Sequence, residues 1–214
     1  MQTIKDLETL RAIVGEPKPT TPLKINNFLT AGAQDYIRQA PLMLIATSDA
    51  EGMPTISPRG DFPGFVGIGD EQTLYLPERK GNNLISTLQN ILQNPQVGLL
   101  FIVPGTIETL RVHGKVELTT DEQLCQQLST GREKAFIVMV LKVTESYFQC
   151  GKAFMRGAIW QPESWPEKVK ISFGAEIAAN AKLNQEAVQE FDNERVERYK
   201  QLEEVFSRTS GQEG

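Results

Sequence analysis

Three short basic segments carry the residues best suited to holding an anion. They are Ser57-Pro58-Arg59-Gly60-Asp61, Arg79-Lys80-Gly81-Asn82-Asn83 and Glu108-Thr109-Leu110-Arg111. The second has the plainest physical logic. It stands directly before a stretch with helical spacing, and a helix N-terminus presents unpaired N–H groups and the positive end of the helix dipole. Gly81 lets a ligand approach the backbone, Asn82 and Asn83 supply amide donors as well as a cap, and Arg79 and Lys80 add charge. Such a set suits a phosphate monoester. The alternative is an N-capped helix with two solvated bases. Arg59, at the end of an expected strand, either serves the same anion or belongs to a surface loop.

The scarce residue types exclude other chemistry. His113 is the only histidine, and Cys125 and Cys150 are the only cysteines. A four-ligand Cys/His zinc site cannot be assembled from them in one chain, so no metal site is expected. No nucleophile elbow accompanies His113, and no Walker loop or Gly-x-Gly-x-x-Gly fingerprint occurs. His113 falls on the polar side of a strand, where a solvated or interface role is expected. Cys125 reads as a small packing residue, and Trp160 and Trp165 as packing aromatics. The net charge of −5 argues against a general nucleic-acid binder. From Ala175 onward nine acids face five bases, so this acidity belongs to the tail. No long apolar run and no signal-peptide pattern stands in the 214 residues, and a cytoplasmic location is the expectation.

The elements that position these segments follow from periodicity. Thr3 and Asp6 resemble a capping box before an amphipathic helix that Gly15 and Pro17 end. A second helix is expected over Ala31 to Gln39, stopping before Pro41. Strands are expected at Leu42–Thr47, Pro54–Pro58, Phe65–Ile68, Thr73–Leu76, Gln96–Val103, Thr109–Leu118 and Ala135–Tyr147. Between them a helix runs from Asn82 or Asn83 to about Leu92, with Leu84, Leu88, Ile91 and Leu92 on one side. A short helix spans Asp121 to Leu128. From about Ala175 to Phe206 the pattern is a long helix with room for an interruption. Its apolar stripe is Val188, Phe191, Tyr199, Leu202 and Phe206, broken by Arg195. Six or seven strands with few βα alternations favour an antiparallel barrel with helical excursions.

Taken in order, the segments resemble the pyridoxamine 5′-phosphate oxidase-like flavoproteins of the FMN-binding split-barrel superfamily. The resemblance rests on the first two basic segments, Leu74-Tyr75-Leu76-Pro77, Asn94-Pro95-Gln96-Val97-Gly98, Glu108 to Gly114, and Cys150-Gly151-Lys152-Ala153 with Arg156 and Trp160. It covers roughly residues 30–165 and is nearest to a PNPOx-related branch without assigned substrates. It implies a mainly β fold with flanking helices: a six-stranded antiparallel split β-barrel, Greek key in type. With the elements read above, the expected organisation is an N-terminal helix and linker at 1–29, the barrel at 30–165 and a C-terminal helical extension at 166–214, the last a long helix, with the N-terminal helices ahead of the barrel. The implied assembly is a homodimer with FMN at the interface. Ser57, Pro58, Arg59 and Gly60 would line the flavin ring or ribityl chain. Arg79, Lys80, Gly81, Asn82 and Asn83 would hold the phosphate. Thr109 stands where the oxidase carries a flavin-contacting Gln, and Lys152, Arg156 and Trp160 would close the site.

Two departures narrow what the resemblance implies. The chain lacks the oxidase's C-terminal Arg-Leu-x-Pro close, and Gln149 precedes Cys150 where the branch carries His. FMN binding and an oxidoreductase acting on an unidentified small molecule are therefore expected, rather than pyridoxamine phosphate oxidation. No side chain stands out as catalytic. The other readings are a flavin-binding sensor or carrier without turnover, and a split barrel that binds a deazaflavin or haem.

Overall fold

A computed structural model describes residues 3–130, 133–181 and 183–209, with only the backbone at 206–209. The chain divides into two compact units, Met1–Trp160 and Gln161–Gly214.

The first unit opens with α1 (Leu7–Val14), whose residues are all exposed. Its cap is Asp6, which accepts from the Thr9 amide at 2.7 Å, so the helix starts from Asp6 rather than from a Thr3 box. Next comes α2 (Ala31–Gln39), capped by Thr30 and buried through Ala33 and Ile37. The sheet then begins with β1 (Leu42–Ser48), β2 (Pro54–Gly60), β3 (Gly67–Asp70) and β4 (Thr73–Glu78). After α3 (Ser86–Gln93) come β5 (Gln96–Ile102) and β6 (Thr109–Thr119). The unit ends with α4 (Glu122–Gln127), β7 (Ile137–Gln149) and α5 (Lys152–Arg156).

All seven strands form one antiparallel sheet in the order β2-β1-β5-β6-β7-β4-β3. This corrects the expected six-stranded barrel. The short β3 adds a seventh strand beside β4, and among the described residues no backbone pairing joins β2 to β3 or β4. The sheet is rolled but split, and the split is crossed by side chains instead. Leu74, Leu76, Leu99, Phe101, Leu110, Val112, Met139 and Leu141 fill the inside, none more than 2% exposed. The alternation expected for β6 holds: Leu110, Val112 and Val116 are buried, while His113 and Lys115 face outward. A bulge in β7 falls opposite His113 and Gly114. Gly114 is needed there, because a methyl group would run into the Lys142 carbonyl.

The second unit contains α6 (Phe173–Ala181) and α7 (Gln185–Thr209), so the expected tail helix is interrupted. Asn184 starts the second helix by accepting from the Ala187 amide at 2.9 Å. Gly174 packs directly against the Val188 backbone. Arg195 does not interrupt the stripe idly. Its guanidinium stacks 4.2 Å from the Phe173 ring centre and 5.5 Å from that of Tyr199, and it donates to the Ile171 carbonyl. The Phe206 side chain lies outside the described residues.

Asp192 ties this helix pair together by accepting from the Gly174 amide at 3.0 Å. That bond first, then the Ser172 hydroxyl, holds its carboxyl below the usual carboxylate range. The lowered value means the tie is fully present above the ordinary carboxylate range and is lost as pH falls through the lowered value. Protection of the Gly174 amide from hydrogen exchange should decline over that acid window. Asp192→Ala should remove the protection at every pH; an amide equally protected in the variant would contradict the tie.

Candidate functional site

The first two of the three anion-binding segments meet where the two ends of the sheet approach each other, while Arg111 of the third lies on the opposite face. In β2 the residues Thr55, Ser57 and Arg59 alternate onto one half-buried face, while Ile56 and Pro58 point to the other. The first face looks onto α3. Ser57 Oγ accepts from Thr87 Oγ1 at 3.3 Å, and Asn90 Nδ2 donates to Thr47 Oγ1 at 3.0 Å and Thr55 Oγ1 at 3.3 Å. Asn94 Nδ2 adds a 2.8 Å bond to Ser48. This ladder of hydroxyls and amides pins the helix to β1 and β2. Asn90→Ala should therefore cost about 2 kcal/mol, the range for stranding buried hydrogen-bonding groups. Urea denaturation measures it, and a loss below about 0.5 kcal/mol would contradict the ladder.

The helix was expected to bury Leu84, Leu88, Ile91 and Leu92. Leu88 and Ile91 are buried, but Leu84 and Leu92 are exposed, and Thr87 and Asn90 take the inward places. The reason is the partner surface: β2 offers hydroxyls there, not apolar side chains. The helix also starts later than expected. Asn82 Oδ1 accepts from the Leu84 amide at 3.0 Å, closing a turn rather than capping a helix. Asn83 (φ 59°) and Ile85 (φ 48°) then adopt left-handed backbone. Such a conformation is strained for a β-branched residue and costs about 1–3 kcal/mol. Ile85 occupies the cap position, and among the described residues no side chain caps α3. Its first N–H groups therefore open toward the cleft without a side-chain acceptor.

A cleft of about 400 Å³ lies at this helix end. It is lined by Ser57, Pro58, Arg59, Arg79, Gly81, Asn82 and Asn83 among the expected residues. A smaller adjoining cleft of about 220 Å³ shares Arg59 and Arg79 and adds Gly60 and Lys80. Nine of the twelve expected positions thus converge. Among the described residues nothing lies within 4 Å of where a side chain at Gly81 would begin, so their packing does not require glycine there. Thr109, Lys152 and Arg156 are elsewhere in this unit. Thr109 is buried on β6, its hydroxyl donating to the Gln149 carbonyl at 3.4 Å, and Lys152 and Arg156 are exposed on α5.

Two acids enter the same place. Arg59 Nη2 donates to Glu78 Oε2 at 3.0 Å and to Thr87 Oγ1 at 3.4 Å, while its buried Nε has no hydrogen-bond partner among the described residues. Arg79 Nη1 donates to the Glu133 carbonyl at 3.0 Å. Its Nη2 lies 2.9 Å from Asp61 Oδ2, an ion pair without hydrogen-bond alignment. These contacts tie β2 to β4 across the split. The sequence did not single out Glu78, Ser86, Thr87 or Phe136 as lining residues. Only the hydroxyls at 86 and 87, soon after Asn82-Asn83, carried a usable signal. With two guanidiniums, an unsatisfied buried N–H and an uncapped helix end, the cleft has the donors that a phosphate group accepts from.

The opposite face of the sheet is different. Antiparallel pairing puts Ile56, Ala46, Gly98, His113 and Glu145 in one row, and Pro58, Leu44, Leu100, Arg111 and Tyr147 in the next. His113 Nδ1 is 2.6 Å from Glu145 Oε2, so this histidine is engaged by a carboxylate on the outer face. Among the described residues no cluster of potential metal ligands occurs, and no helix is long and apolar enough to cross a membrane.

The pyridoxamine 5′-phosphate oxidase family model matches residues 29–150, and the chain belongs to that family. No curated protein matches the chain. Among solved structures it is similar to HupZ of Group A Streptococcus, with 23% identity over 56% of this chain and 94% of that one and a TM-score of 0.47. It is also similar to a Clostridium acetobutylicum protein related to general stress protein 26 (11% identity, 56% and 86% covered, TM-score 0.41). An FMN-binding protein from Syntrophomonas wolfei gives 9% identity, 66% and 95% covered, and a TM-score of 0.42.

Proposed function

We propose that the chain is an FMN-binding flavoprotein, an oxidoreductase acting on a small molecule, with the flavin phosphate held in the cleft at the start of α3. The observation that carries this is the convergence of Arg59 and Arg79 on a helix end that no side chain among the described residues caps. Membership of the pyridoxamine 5′-phosphate oxidase family supports it. In this reading Arg59, Arg79 and the first amides of α3 bind the phosphate. Ser57 and Thr87 orient Arg59 and the ribityl end, and Asn82 and Asn83 shape the rim. Lys80 adds positive potential from the adjoining cleft. When bound, the flavin supplies two-electron transfer, and the protein supplies placement and electrostatics.

The same reading includes a homodimer. Ile56 is 67% exposed in the middle of an edge strand and shares its face with half-buried Leu44 and Leu100, a surface suited to a second copy. Thr109, Lys152 and Arg156 would then serve the flavin from the partner or from a closing segment. Protein purified without added cofactor should be yellow, and acid release should give FMN by mass. A colourless preparation that takes up no added FMN would overturn the proposal.

A further inference from the structure

The cleft carries two acids beside its two arginines, and they are not equivalent. The Arg79 and Asp61 side chains are only 13% and 12% exposed, and Arg79 also holds the Glu133 carbonyl. That pair is a tie across the split. Arg59 is held more loosely. It is 25% exposed, and among the described residues its Nη1 reaches only the neighbouring Pro58 carbonyl at 3.3 Å and its Nε has no hydrogen-bond partner. Its one ionic partner among the described residues is Glu78, which arrives from β4 on the far side of the split.

Building on the flavin phosphate reading, we infer that Glu78 is a built-in competitor of the phosphate that limits how tightly the phosphorylated ligand binds. Two anions converge on one guanidinium. A phosphate oxygen accepting from Arg59 would share that guanidinium with the Glu78 carboxylate, 3.0 Å from Nη2, and at such range like charges repel strongly. Glu78 is not needed to place Arg59. Thr87 also accepts from Nη2, Ser57 in turn accepts from the Thr87 hydroxyl, and the register of β2 with β1 fixes the backbone at Arg59. Binding is thus an exchange of one anion for another. The carboxylate occupies the Arg59 guanidinium in the free cleft and lowers the affinity of the filled one, which suits a ligand that is taken up and released.

The test compares FMN and riboflavin, which lacks the phosphate, on the full chain and on Glu78→Gln, which keeps the shape and an acceptor oxygen but loses the charge. FMN should bind the variant about tenfold more tightly, equivalent to about 1.4 kcal/mol, with riboflavin unchanged. Equal or weaker FMN binding overturns the inference, because Glu78 would then be positioning Arg59. An equal gain for both flavins overturns it as well. If neither flavin binds the unaltered chain, the flavin reading fails by itself, and the inference is decided with inorganic phosphate followed through the NMR signal of Arg59 Nε–H. A shift at about tenfold lower phosphate concentration in the variant supports competition. The same concentration in both proteins, or no shift, refutes it.

Discussion

Arg59→Ala should lower FMN affinity about a hundredfold, close to 2.7 kcal/mol. Two effects add. The variant loses charge-assisted hydrogen bonds to the phosphate, each in the range of about 1.5–3 kcal/mol. It also leaves the Glu78 carboxylate facing the ligand with no cation between them. Adding Glu78→Gln to Arg59→Ala should therefore recover part of the loss, and the double-mutant cycle should show clear coupling. Fluorescence titration with FMN measures all four proteins. A loss below threefold in Arg59→Ala would remove Arg59 from the site. The sheet should survive the change, because Arg59 lies on an edge strand that β1 pairs along its full length.

Arg79→Ala should act mainly on folding. Its ion pair with Asp61 is the more buried of the two, and removing the cation strands the carboxylate. Breaking such a pair costs about 3 kcal/mol, or a midpoint lowered by about 10 °C at this chain length. The Glu133 carbonyl also loses its donor. Asp61→Asn on the Arg79→Ala background should restore part of the midpoint, since the stranded charge is gone. Arg59→Ala should lower the midpoint far less, its pair being more exposed. Thermal unfolding of the three variants decides this, and an Arg79→Ala midpoint at the unaltered value would contradict the tie across the split.

The contrast between the two arginines was not readable from the sequence, although both were. Each stood in a short segment with turn residues, and local composition marked it as an anion ligand. Their partners come from 18 and 19 residues away through the roll of the sheet, and nothing local in Glu78 or Asp61 announces a pairing. The strands were readable because half-burial writes itself as alternation, as in β6. So was α2, bounded by the Thr30 cap and by Pro41. The start of α3 was misread for a specific reason. Asn82 and Asn83 are good caps in general, but here Asn82 closes a turn and left-handed backbone at Asn83 and Ile85 delays the helix to Ser86. That delay matters, because it moves the open amides to Ser86, Thr87 and Leu88. A strand near β3 was readable too, at Phe65–Ile68; what erred was the closed six-stranded barrel the resemblance implied, because the four residues of β3 pair on one side only, with β4, and leave the sheet open.

The placement of the phosphate at that helix end is tested most directly by following the backbone amides of the labelled protein while FMN is added. The amides of Ser86, Thr87 and Leu88 should shift together with Arg59 Nε–H, saturating at one concentration, and riboflavin should leave all four largely unmoved. Saturable FMN binding that leaves these signals in place and moves others would contradict the site assigned here.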